Sequence, residues 1–236
     1  MSILIVVAHP DDEVLGAGGM LATLPAELAP SRACILAANA DARTKRPGSE
    51  ELRKDILQAS GLLGLDEPIL GDFPNIRLNT VPHLDLVQFI EEAIVSTDAT
   101  TIFTHHPADL NNDHVQVSFA CQAAARLFQR RNNIARLREL YFMEVLSSTE
   151  WAFPGGTVAF QPDTFFEIGE LGLAKKIEAL SCYKGVMRAY PHPRNHQTLR
   201  AQATMRGAQS GLQLAEGFQT AFRCLSQSTA RQMTGR

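Results

Sequence analysis

Apolar residues run unbroken over positions 3–8, "ILIVVA", and most are β-branched. A run of that length without polar alternation predicts a strand buried on both faces, as in a parallel sheet covered by helices. Further strands are predicted at 33–38, 101–104 and 140–146, with a brief one at 66–70. Between them the apolar spacing changes to the helical period over 13–24, 50–63 and 84–95, with Gly64 fitting a helix C-cap. Another helix is predicted from Asp113, suited to cap it, to about residue 131. Strands alternate with helices through residue 146. That predicts an α/β fold, a Rossmann-like doubly wound, mostly parallel sheet with helices on both faces. The last third differs. "VAFQPDTFFEI" predicts a strand or two, and helices are predicted over 171–183, 196–208 and 214–225. At 236 residues the chain suits a single domain, with a core over 1–146 and a strand/helix extension over 147–236.

The strand at 3–8 ends at "HPDDE" and the strand at 101–104 ends at "HHPADLNNDH". In open α/β sheets, ligands bind beyond the carboxyl ends of the strands where strand order reverses. In the usual winding these two strands are neighbours, so the two clusters are predicted to face each other across one crevice. Imidazole and carboxylate together suit zinc, whose catalytic sites take three protein ligands and keep a position for water. His9 and Asp12 are spaced to share one side of a helical turn, and His114 can supply the third ligand. Asp11 is then left beside the water as a general base. The alternative for Asp11, Asp12 and Glu13 is plain enrichment of acids in a first helical turn, where they complement the macrodipole. That alternative explains neither His9 nor the second cluster. The glycines of "GAGG" do not form a dinucleotide fingerprint, because Gly16 falls well inside the helix. Close packing of helix on sheet is the better account.

Composition narrows the partner. A net charge of −3 with mixed signs shows no basic stripe for nucleic acid. The apolar run at 3–8 is too short for a membrane span or a signal h-region. A small-molecule partner is expected. Cys34, Cys121, Cys182 and Cys224 form no CxxC pair and are expected to be reduced, which fits a cytoplasmic protein.

"AHPDDEVLGAGG" followed by "HHPADLNNDHVQV" resembles the LmbE/PIG-L zinc-dependent N-deacetylases. "KKIEALSCYKGVMRAYPHPRN" and "RGAQSGLQLAEGF" are similar to the C-terminal part of bacterial members, so the likeness covers most of the chain. The resemblance implies hydrolysis of an N-acetyl group on an amino sugar or sugar conjugate, with Zn2+ or another divalent metal. His9, Asp12 and His114 match its metal ligands and Asp11 its base. Trimers or hexamers are common in the family, so a homo-oligomer is expected. Asn111 stands where many members carry a histidine assigned to acid catalysis or transition-state stabilisation. Either Asp11 serves as base and then acid, or another imidazole substitutes.

His192, stiffened by prolines in "YPHPRN", is the candidate for that role, against the alternative of a surface loop histidine. Of His105 and His106, one is expected to support the metal ligands or to orient Asp113; we place His106 there. Asp113 either caps its helix or accepts from a site imidazole. His83 and His196 are expected to be structural or exposed. On the substrate side the resemblance points to Arg53, against the equal alternative of an exposed helix arginine, and to Asn75, where relatives tend to have an acid that grips sugar hydroxyls. Trp151 either stacks on a sugar ring, forms part of a lid, or anchors its loop to the core. The same metal site also suits a second chemistry, amide hydrolysis or hydration of a non-sugar molecule.

Overall fold

The computed structural model describes residues 2–25, 27, 29–39, 48–153 and 159–225. Most of the polar loop between the second strand and second helix lies outside these. The described elements are β1 (Ile3–Val7), α1 (Asp12–Thr23), β2 (Ser31–Ile35), α2 (Ser49–Leu62), β3 (Ile69–Leu70), α3 (His83–Thr97), β4 (Thr101–His105), α4 (Asn112–Ala124), β5 (Glu139–Met143), β6 (Thr164–Glu167), α5 (Gly169–Cys182), α6 (His196–Ser210) and β7 (Ala215–Arg223). They form one seven-stranded sheet in the order β3-β2-β1-β4-β5-β7-β6. β1 to β5 run parallel, and β7 is antiparallel to both β5 and β6.

β1 shows why its sequence lacks alternation. Ile3, Ile5 and Val7 enter a core with residues of α1, α2, α5 and α6. Leu4, Val6 and Ala8 enter a second core with residues of α3 and α4 on the opposite face. Both pleat directions are covered, so both demand apolar side chains. β1 lies between β2 and β4, the point where strand order reverses. The expected α/β architecture is the one found.

Two expectations about elements need correction. Residues 214–225 do not form a helix. Ala215–Arg223 is a strand paired along both edges, with β5 and with β6. Its apolar residues at 214, 218, 222 and 225 are spaced like a helix face, but an open sheet edge on β5 offered backbone partners that outweigh that spacing. Asp113 does not cap α4: the cap is Asn111, whose side chain accepts the Asp113 N–H, and the helix ends at Ala124 before a 3-10 turn at Leu127–Gln129.

The glycines of α1 let it press against the C-terminal segment. A Cβ on Gly172 of α5 would lie 2.9 Å from the carbonyl oxygen of Gly19, a backbone atom that cannot swing away. Gly172→Ala is expected to lower stability by about 1–3 kcal/mol, the usual range for overpacking, read from the midpoint of urea unfolding. Beside this contact Lys176 of α5 inserts its buried ammonium, with Nζ 2.7 Å from the Leu15 carbonyl and 2.6 Å from Glu216 Oε1. Glu216, on β7, accepts the N–H groups of Gly19 at 2.9 Å and Met20 at 2.7 Å. One buried ion pair therefore enters the hydrogen-bond ladder of α1 and ties it to α5 and β7. Arg206 of α6 makes a bidentate pair with Glu144, just past β5, at 2.6 Å for each bond.

Candidate metal centre and active site

β1 and β4 deliver their carboxyl ends side by side, and the residues beyond them converge. His9 follows β1 directly. The backbone then turns sharply at Asp11, whose φ of 108° and ψ of −23° lie in a region unfavourable for a side-chain-bearing residue. Three bonds hold that turn. The Asp11 N–H donates to Glu13 Oε2 at 3.1 Å, the Asp11 carbonyl accepts the Leu15 N–H at 2.9 Å, and the His9 N–H donates to Asp12 Oδ2 at 2.9 Å. Glu13 is buried and accepts the hydroxyl of Tyr183 at its other oxygen. Burial, with the charges of Asp11 and Asp12 adding to it, pushes the Glu13 carboxyl up to about 8. Its place is beneath the Asp11 turn, as a support.

Asp12 is the hub. Its Oδ2 lies 3.3 Å from His9 Nδ1, 3.2 Å from His114 Nε2 and 3.6 Å from His105 Nε2. His114 sits in the first turn of α4, at the level of β1's end because β1 and β4 are adjacent. One ligand atom each from His9, Asp12 and His114 lies within 4.8 Å of the others. The sequence interval of more than a hundred positions is closed by the sheet.

Each imidazole is braced from behind. His114 Nδ1 lies 3.2 Å from Asp109 Oδ1. Asp109 in turn accepts the hydroxyls of Ser148 and Thr149, the latter at 2.7 Å. His9 Nε2 lies 3.0 Å from Asp113 Oδ2, and Asp113 also accepts the N–H groups of Ile76 at 2.6 Å and Leu78 at 3.0 Å. Carboxylate partners of this kind orient a ligating imidazole and raise its basicity. Asp109→Ala is therefore expected to weaken zinc binding about 10–100-fold, measured by competition with a chelating dye.

The electrostatics favour a cation. Burial opposes charge on His114, yet the charge of Asp12 and the bond to Asp109 push it up to about 10. Burial likewise opposes charge on His9, and its bonds to Asp113 and Asp12 overcome that and raise it. Burial resists ionisation of Asp12 too, but the charge of His114 and its hydrogen bond hold the carboxyl well below the usual range. Carboxylates that draw protons onto two imidazoles draw a divalent cation for the same reason, and the cation displaces those protons. Two imidazoles and a carboxylate also match the donor set of a catalytic zinc site. The residues present fit a metal.

The other expected residues divide clearly. Asp11 stands next to Asp12 in the chain, and its Oδ2 lies 3.2 Å from Arg194 Nη1. His105, not His106, touches the cluster. Its ring stacks on His114 with centroids 3.8 Å apart, and its Nε2 accepts the Ala8 N–H at 2.9 Å. Burial and the neighbouring His114 charge lower it to about 3, in keeping with an unprotonated acceptor nitrogen. His106 instead meets the Ala108 N–H, the Gln219 side chain and, in T-shaped contacts, the rings of Phe142 and Phe160. Adjacent strand residues point to opposite faces, so one of the pair had to turn away. His192 engages Nδ1 with the Arg194 N–H at 3.1 Å, and burial with the charges of Arg188 and Arg194 lowers its pKa.

Asn75 donates to the Asn39 carbonyl at 2.7 Å, tying together the loops after β3 and β2. Its neighbour Ile76 adopts a φ of 58° as it donates to Asp113. Arg53 is exposed on α2, 3.7 Å from Glu67. Trp151 is 52% exposed and meets Phe153 edge-on at 6.3 Å, so it is not a core anchor. His83 and His196 are both exposed. Sequence reasoning missed Ser148, Thr149, Tyr183 and Arg194. Arg194 and Tyr183 lie in the C-terminal stretch that resembles bacterial family members, but no spacing rule ties them to Asp11 or Glu13.

Comparison with known proteins agrees with this architecture. The model of the family described as "PIG-L: GlcNAc-PI de-N-acetylase" matches residues 4–125, the stretch that carries both clusters. Among solved structures, the conserved protein TT1542 from Thermus thermophilus superposes with a TM-score of 0.76 at 25% identity, covering 95% of this chain and 96% of that one. GalB, the 4-carboxy-2-hydroxymuconate hydratase from Pseudomonas putida, gives 0.76 at 20% identity, covering 96% and 98%. The N,N'-diacetylchitobiose deacetylase from Pyrococcus horikoshii gives 0.70 at 16% identity, covering 93% and 83%. A comparison with functionally curated sequences finds no match. With more than half its length matched, and the two clusters brought together at the ends of adjacent parallel strands, this chain belongs to the PIG-L family.

Proposed function

We propose that the chain is a zinc-dependent N-deacetylase that hydrolyses the acetamido group of an amino sugar or sugar conjugate. One observation carries this reading: His9, Asp12 and His114 offer three converging ligand atoms, and a second carboxylate, Asp11, immediately precedes Asp12 in the chain. Zinc or another divalent metal held by those three residues would supply a Lewis acid for the acyl carbonyl and lower the pKa of water to ~7. Asp11 accepts the proton of the attacking water and returns it to the departing amine nitrogen. The braces at Asp109 and Asp113 hold the two imidazoles still while charge moves. Asn75 and Trp151, on loops beyond the strands, are the proposed substrate contacts, with Arg53 further out and His192 a candidate for polarising the carbonyl. The whole chain is proposed to act as one unit, since Tyr183 and Arg194 of its last third reach Glu13 and Asp11.

The partner proposed is a small N-acetylated molecule, and homo-oligomerisation is proposed from the family likeness. No helix among the described residues is long and apolar enough to cross a membrane. All four cysteines are free, which supports a reducing compartment such as the cytoplasm. The likeness to a hydratase favours a second reading, water addition or amide hydrolysis on a non-sugar molecule at the same site.

The test is acetate release from a panel of N-acetylated amino sugars, free and conjugated, by protein stripped with chelator and then reloaded with zinc. Deacetylation that disappears on stripping and returns with zinc is the expected result. Release of no acetate from any of them, together with turnover of an unsaturated carboxylate, would replace this reading with the hydratase one.

A further inference from the structure

The segment between α5 and α6 carries a cation into the site. Arg194 places Nη1 3.2 Å from Asp11 Oδ2, and its Nε donates to the Leu146 carbonyl at 3.3 Å. Its backbone is pinned on both sides. The N–H donates to His192 Nδ1 at 3.1 Å and the carbonyl accepts the Arg188 N–H at 2.9 Å. The next residue, Asn195, caps α6 by accepting the N–H groups of Gln197 and Thr198 at 2.8 and 3.0 Å. The Arg194 side chain is 22% exposed and the Asp11 side chain 3%, so the pair is largely shielded from water. A long side chain fixed at root and tip has little rotamer freedom left to lose, and a planar fork suits carboxylate contact.

The Asp11 backbone is fixed by the strained turn, but the turn alone does not set where its carboxylate points. The two positions considered for an acid-catalytic imidazole have other described bonds. Asn111 is occupied as the cap of α4, and His192 has its Nδ1 engaged with Arg194 itself. We propose that Arg194 is the positioning residue of Asp11, anchored on the Leu146 carbonyl and fixing the direction of the Asp11 carboxylate toward the His9–Asp12–His114 cluster. The inference rests on the amide-hydrolysis reading, in which Asp11 moves the proton. In that reaction the proton leaves the attacking water for Asp11 and passes from Asp11 to the amine nitrogen. A carbon–oxygen bond forms and the acyl carbon–nitrogen bond breaks, while the guanidinium keeps all its protons throughout.

The experiment uses the zinc-loaded full chain with the best substrate of the N-acetylated panel. Arg194→Ala is expected to lower kcat about 100-fold, the scale of a misplaced reacting group, with KM and zinc content little changed. Added guanidinium ion restores turnover to Arg194→Ala and does nothing for Asp11→Asn. Arg194→Lys, which keeps the charge and loses the fork, falls between wild type and Arg194→Ala. Unchanged kcat, or a loss that guanidinium does not repair in folded Arg194→Ala or Arg194→Lys protein, overturns the proposal. If the wild type releases no acetate at all, the deacetylase reading has failed, and crystal structures of wild type and Arg194→Lys or Arg194→Ala decide this one separately. A carboxylate of Asp11 that swings away without the guanidinium supports it, and one that stays in place overturns it.

Discussion

Asp11→Asn is expected to cut kcat by about 10²–10⁴-fold, the range usually contributed by a positioned general base, while zinc content stays at the wild-type level. The substitution is nearly isosteric. Its amide oxygen still accepts from the Arg194 guanidinium, and the backbone bonds to Glu13 and from Leu15 do not involve the side chain. The strained φ is tolerated by asparagine about as well as by aspartate. What disappears is the ability to take a proton. The three proposed ligands are other residues, so metal loading is the internal control. Steady-state kinetics with parallel metal analysis reads both. Wild-type turnover in a fully loaded Asp11→Asn protein would move the base to another group and remove the present account of proton transfer.

The second large effect concerns stability. Glu216→Ala is expected to destabilise the fold by about 3–5 kcal/mol, the cost of leaving one member of a buried ion pair unpaired. Lys176 would keep only the Leu15 carbonyl as its described partner, and the Gly19 and Met20 N–H groups would lose their acceptor. Urea titration of wild type, Glu216→Ala, and Glu216→Ala combined with Lys176→Met measures it. The double variant should recover part of the loss, because the buried charge is removed together with its partner. A single variant within 1 kcal/mol of wild type, set against that ~3–5 kcal/mol expectation, would show that water reaches the pair and screens it.

The sequence carried the elements that bear the chemistry. An unbroken apolar run located β1, because a strand covered on both faces favours apolar side chains, and the short β-branched "TIFT" located β4 with its two threonines buried. Their adjacency followed from winding rules, and it is what brings His9 and Asp12 to His114. The supports were harder to see. Asp109 braces His114 through a turn whose Ser148 and Thr149 lie beyond β5, and nothing in a serine–threonine pair announces a carboxylate partner forty positions away. The choice between His105 and His106 depended on pleat phase, which a one-residue change in strand register reverses. β7 reads as a helix because its apolar residues fit a helix face equally well; only the open edge of β5 decides otherwise. Lys176, Tyr183, Arg194 and Glu216 all fall in stretches that carry the family likeness. Their common task, gripping α1 and the Asp11 turn from the C-terminal side, depends on tertiary contacts that local pattern does not encode.

The position of β7 has a consequence for biosynthesis. The last described strand is wedged between β5 and β6, both translated earlier. While the ribosome is still short of residue 215, β5 presents a bare row of backbone donors and acceptors, and β6 has nothing to join. Vectorial synthesis therefore cannot complete this protein piece by piece. The nascent chain carries an adhesive border until residues 215–223 emerge, a period when chaperone shielding matters most and when premature termination would yield an aggregating fragment.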